Sequence, residues 1–271
     1  MTVEEDLCAW ELIENKLAFK ETPSDKRISS LQFAVYRNSE RVLAWLIEHG
    51  ADVDDDAGYL GWTPLIVATQ FDKTSIVTFL LKQHASPGKV TRTGACALKN
   101  AASKGAQNTI DMFFEAEPDL DPAPTNEDGF TPLYAAAEGG HVDTFIYLYQ
   151  KQPNVAPLKE NGWLPVHVAA LEGHLEILKL LKPDELKSKT KFEQTPLFLA
   201  SIRGHSKVVK FCAEFNDKAA NDTINSTDAN GWTLLHHAAR SGKHDLFVKL
   251  IGLGLEPMTT DRFGNTPLHI A

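Results

Sequence analysis

The chain has 271 residues, with 27 basic against 36 acidic side chains and a formal net charge of -9, which argues against a general affinity for nucleic acid or anionic membranes. No stretch approaches the roughly 18 uninterrupted apolar residues of a membrane span, so no membrane insertion is expected. Three cysteines at unrelated spacings, Cys8, Cys96 and Cys212, do not make a disulfide framework, and a start containing Glu4, Glu5 and Asp6 is wrong for a secretory or mitochondrial address.

In chain order, Thr2 and Glu5 are spaced as a capping box, and Val3, Leu7, Trp10 and Leu17 share one side of the helix that follows. Residues 1–27 are therefore predicted to be an N-terminal helical cap over the open end of the segment that follows.

From residue 28 to 271 one short unit recurs. Alanine stands at Ala34, Ala68, Ala101, Ala136, Ala169, Ala200, Ala238 and Ala271, each three residues after an apolar anchor: Leu31, Leu65, Leu98, Leu133, Val166, Leu197, Leu235 and Leu268. The anchors are separated by 34, 33, 35, 33, 31, 38 and 33 residues, a period that means a stacked solenoid. Two residues before the anchor stands a hydroxyl, at Ser29, Thr63, Thr131, Thr195, Thr233 and Thr266, with proline following at Pro64, Pro132, Pro165, Pro196 and Pro267. A hydroxyl caps orphan N–H groups, and proline at the first helical position loses no hydrogen bond, so each marks a helix start. Anchor and alanine then share one face of a first helix, where the small alanine lets a neighbouring helix approach.

Four residues after the alanine come Asn38, Asp72, Gly105, Gly140, Gly173, Gly204 and Gly242, the residue types that tolerate positive φ, so each first helix is predicted to stop after about two turns. A second helix follows with apolar pairs: Val42, Leu43, Leu46 and Ile47; Ile76, Val77, Leu80 and Leu81; Leu246, Phe247, Leu250 and Ile251. Residues 118–126, with three prolines and two acids, read as an extended loop between units.

Gly-x-Thr-Pro-Leu-x-x-Ala, a Gly-His turn, a Leu-Leu helix and Gly-Ala-Asp-Val together resemble the ankyrin repeat, best in Gly61 to Ala68, Gly129 to His141 and Gly264 to Ala271. The resemblance covers roughly residues 28–271. It implies an all-α ankyrin-repeat α-solenoid of helix-turn-helix units joined by short hairpin-like loops: seven full repeats behind the N-terminal capping helix, with the sequence ending inside the first helix of an eighth. On that pattern the chain is expected to be a fragment of a longer frame. The departures are Cys96 and Leu164 in place of the capping threonine, Glu193 in place of the turn glycine, and an insertion before Leu235.

Six of the ten histidines sit at repeat positions: His141, His174 and His205 follow the turn glycine, and His167, His236 and His269 follow the anchor. They are spread along the array where metal ligands would have to converge, so no metal site is expected. Asp52, Asp54, Asp55 and Asp56 lack the glycine and the bidentate glutamate of a calcium loop and read as a solvated acidic loop. There is no P-loop, nucleophile elbow, Cys-x-x-Cys or His-Glu-x-x-His, so no catalytic residues, no cofactor and no enzyme activity are predicted.

Three residues before the anchor stand Trp62, Phe130, Trp163 and Trp232; two positions earlier come Leu60, Phe192 and Phe263. The resemblance puts this loop, and the exposed side of the first helix with Phe71, Arg203 and Arg240, on the concave face that holds partners. The expectation is a protein-protein interaction scaffold or adaptor in the cytoplasm, with a protein partner of neutral or basic surface and no nucleic acid. The alternative is the recognition arm of a larger multidomain enzyme or a bacterial effector acting in a host cytosol. A third option is a nucleotide held by Trp62, Phe71 and Lys104.

Overall fold

The structure, a computed structural model, describes residues 28–58, 61–152, 156–158, 160–215, 227–228 and 230–271. The expected cap over residues 1–27 lies outside the described residues, as does Leu60. Among the described residues every regular element is a helix. The chain divides into two compact units, 1–135 and 136–271.

In the first unit, helices pair as α1 (Ser30–Tyr36) with α2 (Glu40–Glu48), α3 (Pro64–Gln70) with α4 (Thr74–Lys82), and α5 (Ala97–Lys104) with α6 (Gln107–Ala116). First helices stack in the order α1, α3, α5, and second helices α4 and α6 pack side by side. Helix α7 (Pro132–Gly139) crosses into the second unit, which continues with α8 (Val142–Lys151), α9 (Pro165–Glu172), α10 (Leu175–Leu178), α11 (Pro183–Leu186), α12 (Pro196–Arg203), α13 (Ser206–Phe215), α14 (Leu234–Arg240), α15 (His244–Gly252) and α16 (Pro267–Ile270). There α9, α12, α14 and α16 form the row of first helices. The second helix of the fifth copy is broken into α10 and α11, with Pro183 opening the latter.

The small residues occupy the places where helices approach. Ala34 is 1% exposed, and Ala68, Ala101, Ala136, Ala169, Ala200 and Ala238 are fully buried. Second helices add large core side chains of their own: Leu43, Ile76, Leu80, Ile110 and Phe113 in the first unit, and Phe145, Leu148, Ile177, Val208, Leu246 and Leu250 in the second, all at most 1% exposed. Each such aliphatic or aromatic side chain contributes about 1.5–3 kcal/mol of transfer free energy. The last anchor, Leu268, is exposed.

The turn residues follow the expected chemistry in every copy, the capping hydroxyls only in some. All seven turn residues have positive φ, from 53° at Asp72 to 84° at Gly173. At Gly173 glycine is required twice over, because a Cβ there would lie 2.5 Å from the His205 ring. Ser29 Oγ accepts from Gln32 N at 3.3 Å while Gln32 Oε1 accepts from Ser29 N at 3.2 Å, a complete capping box. Thr63 and Thr195 each cap the N–H three residues on at 3.3 Å. Cys96 also caps, its Sγ accepting from Lys99 N at 3.3 Å. At Leu164, whose side chain cannot accept, His167 Nδ1 reaches back to the backbone N–H at 3.0 Å. Three predicted hydroxyl caps are not made: Thr131 Oγ1 is buried without a hydrogen-bond partner, and the hydroxyls of Thr233 and Thr266 meet His236 Nδ1 and His269 Nδ1 at 2.9 and 2.8 Å instead. Glu193, in the loop before α12, keeps a glycine's conformation at φ 61°.

Two predicted features take different roles. The acidic loop is not merely solvated: Asp54 is half-buried and both its carboxylate oxygens accept from Ser86 N at 3.2 Å, while Lys89 Nζ donates to its carbonyl at 2.6 Å. Burial drives the Asp54 carboxyl up from its ordinary value. The histidines tie neighbouring copies together. His174 and His205 donate from Nε2 to Glu138 O and Leu171 O at 2.9 Å, and His167 and His236 from Nε2 to Ser188 O and Asn265 O at 3.2 and 3.0 Å. In His167 and His236 the Nδ1 atom accepts a capping N–H, so these partners select the tautomer with hydrogen on Nε2.

Candidate binding face

The loops that carry the aromatics are built by one recurring device. An oxygen-bearing side chain accepts the backbone N–H groups two and four residues ahead, closing a tight loop. Asn126 Oδ1 takes Asp128 N and Phe130 N; Thr190 Oγ1 takes Phe192 N and Gln194 N; Asp228 Oδ1 takes Asn230 N and Trp232 N; Asp261 Oδ1 takes Phe263 N and Asn265 N, all between 2.8 and 3.2 Å. Asn161 Oδ1 takes Trp163 N at 2.9 Å. Backbone bonds from Thr190 N to Gln194 O, Asp228 N to Trp232 O and Asp261 N to Asn265 O complete the hairpin-like form. Every loop aromatic except Trp62 thus has its own backbone N–H held by a side chain one short loop upstream, a signal present in the sequence as Asn126, Asn161, Thr190, Asp228 and Asp261.

In the first unit the candidates divide by exposure. Trp62 and Phe130 are half-buried. The Trp62 carbonyl accepts from Gln32 Nε2 at 2.7 Å, and Phe130 lies 5.5 Å from Tyr134, with Lys99 Nζ 5.8 Å from its centroid. Phe71 is 52% exposed and meets Tyr36 edge to face at 5.9 Å. Tyr36, itself exposed, belongs to this surface although its place in the repeat did not single it out.

The nucleotide option fails on Lys104. Its ammonium donates to Thr69 O, Gln70 O and Asp72 Oδ1 at 3.3, 2.7 and 2.8 Å, closing the C-terminal end of α3. Three donors on three acceptors leave nothing for a phosphate.

In the second unit, Phe192 and Phe263 project from loop tips at 53% and 80% exposure. Trp163 and Trp232 are half-buried. Trp232 serves partly as structure, since its Nε1–H donates to Asp261 Oδ2 of the next loop at 3.1 Å and its ring meets His237 edge-on at 5.1 Å. Arg240 is exposed and its guanidinium sits over the Trp232 ring at 5.4 Å. Exposed Arg203 lies 3.7 Å from Glu172.

Beneath Trp232, His237 Nε2 meets Asp228 Oδ2 at 3.2 Å, both side chains 8% exposed. Burial drives His237 down to about 4 against the opposing pull of Asp228, and burial likewise drives His167 to about 4. The Cys212 thiol is pushed up to about 12 by burial, and that of Cys96 is also raised, so neither is a thiolate at neutral pH. Among the described residues no group of three or more histidine, cysteine or carboxylate side chains is placed to hold a metal ion.

A family model described as ankyrin repeats, three copies long, matches residues 4–91, 31–123, 98–190 and 167–261. The chain belongs to the ankyrin-repeat family. It is 32% identical over 114 residues to alpha-latrocrustotoxin-Lt1a of Latrodectus tredecimguttatus, covering 42% of this chain and 8% of the toxin. It is 28% identical over 224 residues to Rabankyrin-5 of Homo sapiens, covering 77% of this chain and 17% of that protein. It therefore spans less than a fifth of either relative. Among solved structures, the human ASB11 ankyrin repeat domain superposes with a TM-score of 0.66 at 21% identity, covering 77% of this chain and 91% of that one. Ankyrin repeats are protein-protein interaction modules, and the loops and first helices described above are the parts of each ankyrin repeat that carry the candidate residues.

Proposed function

We propose that the chain is a non-catalytic scaffold or adaptor that holds a protein partner on the loop and first-helix side of its ankyrin repeats. The observation that carries this reading is the exposure of Phe71 just past the end of a first helix and of Phe192 and Phe263 at loop tips, with exposed Arg203 and Arg240 closing the C-terminal ends of other first helices. Large exposed aromatics and arginines are the residue types that anchor interfaces, whereas the half-buried tryptophans divide their surface between the fold and any partner. A photoreactive phenylalanine analogue at Phe71, Phe192 or Phe263 should crosslink to one protein band in native extract, and the same analogue at Lys179 or Lys207, on the second-helix side, should not. Crosslinking confined to Lys179 and Lys207 would refute the assignment.

A further inference from the structure

On the reading that the loop and first-helix side is the binding face, we infer that the surface around Trp232 takes an acidic protein segment. Carboxylates of an extended stretch would meet Arg240 and Arg262 while an apolar neighbour rests on Phe263. The net charge of the whole chain points to a basic partner, but the charge is unevenly spread. Residues 28–135 carry eight basic and fourteen acidic side chains, and residues 136–271 carry fifteen of each. Around Trp232 two cationic side chains are accessible. Arg240 lies over the indole. Arg262 passes across Gly231, where a Cβ would stand 3.1 Å from its Cγ, and its backbone N–H donates to Asn230 O at 3.2 Å. Both arginines are exposed, and among the described residues neither has a carboxylate within ion-pair distance.

The two carboxylates bonded to Trp232 are turned inward and occupied. Asp228 is engaged by Asn230 N, Trp232 N and His237, and Asp261 by Phe263 N, Asn265 N, the Asn265 side chain and the Trp232 indole. A partner therefore meets two guanidinium groups and the ring of Phe263. A carboxylate matches the donor fork of a guanidinium in two parallel hydrogen bonds, and a lysine-rich partner meets like charge. Arg240 is already held against the indole, so less side-chain freedom is lost when it binds.

The test uses the full 271-residue chain and two labelled peptides, one alternating glutamate and leucine, the other lysine and leucine, followed by fluorescence anisotropy. The glutamate peptide should bind at least about tenfold more tightly and lose about tenfold in affinity as salt rises from low to high concentration. Arg240→Gln and Arg262→Gln should each weaken it about fivefold, and together bring it to the level of the lysine peptide; Arg240→Lys should retain part of the affinity. Melting curves confirm that each variant is folded. Equal or tighter binding of the lysine peptide, indifference to both arginine substitutions, or no binding of either peptide overturns the inference. If Phe192→Ser and Phe263→Ser weaken binding while the arginine substitutions do not, the face stands and its acidic preference falls. If only Lys179→Gln and Lys207→Gln weaken it, the face itself is wrong.

Discussion

Replacing Gly173 with alanine separates two costs that the turn glycines otherwise combine. The residue sits at φ 84°, where a Cβ costs about 1–2 kcal/mol. The new methyl would also stand 2.5 Å from His205 Nδ1, so the ring must move and its 2.9 Å bond to Leu171 O is lost, about 1 kcal/mol more. The total is about 2–3 kcal/mol. Gly242 has φ 65° with nothing within 4 Å of its would-be Cβ, so Gly242→Ala should carry the backbone cost alone. Urea unfolding with amide-exchange readout near each turn measures both, since a repeat array need not unfold in one step. In a His205→Ala background the excess at Gly173 should disappear, as a double-mutant cycle requires. Equal costs at the two glycines, or an excess that survives removal of His205, would refute the claim that the histidine is what crowds the turn.

Acidification should loosen the second unit in a defined window. His167 and His237 are driven to about 4 in the fold, below the unfolded value near 6.5. The unfolded chain therefore binds more protons between those values: their contribution is complete above about pH 6.5, falls as pH drops towards 4 and then levels off, about 3 kcal/mol for each histidine. Urea midpoints across that range should follow this curve, and a flat profile would contradict it. Cys96→Ala should cost about 1 kcal/mol by removing the cap on Lys99 N, with Cys96→Ser recovering most of it, as read from thermal unfolding. Lys104→Met should destabilise the end of α3, seen as faster amide exchange at Phe71 and Asp72, and a nucleotide titration should produce no thermal shift in the unaltered chain.

Within each repeat the fold was legible because its determinants are local. The alanines, the turn residues and the caps at Ser29, Thr63 and Thr195 are decided by residues three or four apart, and Asn38 and Asp72 could be placed at positive φ beside the glycines for that reason. What escaped lies between repeats. Asp54 contacts Ser86 and Lys104 closes the end of α3, pairs about one period apart whose side-chain chemistry no local pattern announces. Thr131 shows the converse: the residue type is right for a cap, yet its oxygen is buried without a partner, because the position of a hydroxyl does not fix its rotamer. For the candidate face, the aromatic register located the loops, but exposure depended on how each ring met its neighbour. Phe192 and Phe263 emerged at the surface, while Trp232 was drawn partly inward by the Asp261 carboxylate.

That difference also selects the measurement that tests the binding face most directly. Truncating Trp163 or Trp232 would mix folding with binding, whereas Phe192 and Phe263 are exposed at 53% and 80%, so alanine there should leave the unfolding midpoint nearly unchanged. Affinity for the crosslinked partner, measured with Phe192→Ala, Phe263→Ala, Lys179→Glu and Lys207→Glu, should fall about thirtyfold in at least one of the phenylalanine variants and stay within about twofold in the lysine variants. Undiminished binding by both phenylalanine variants, with loss in the lysine variants, would place the partner on the opposite side of the repeats and contradict the account.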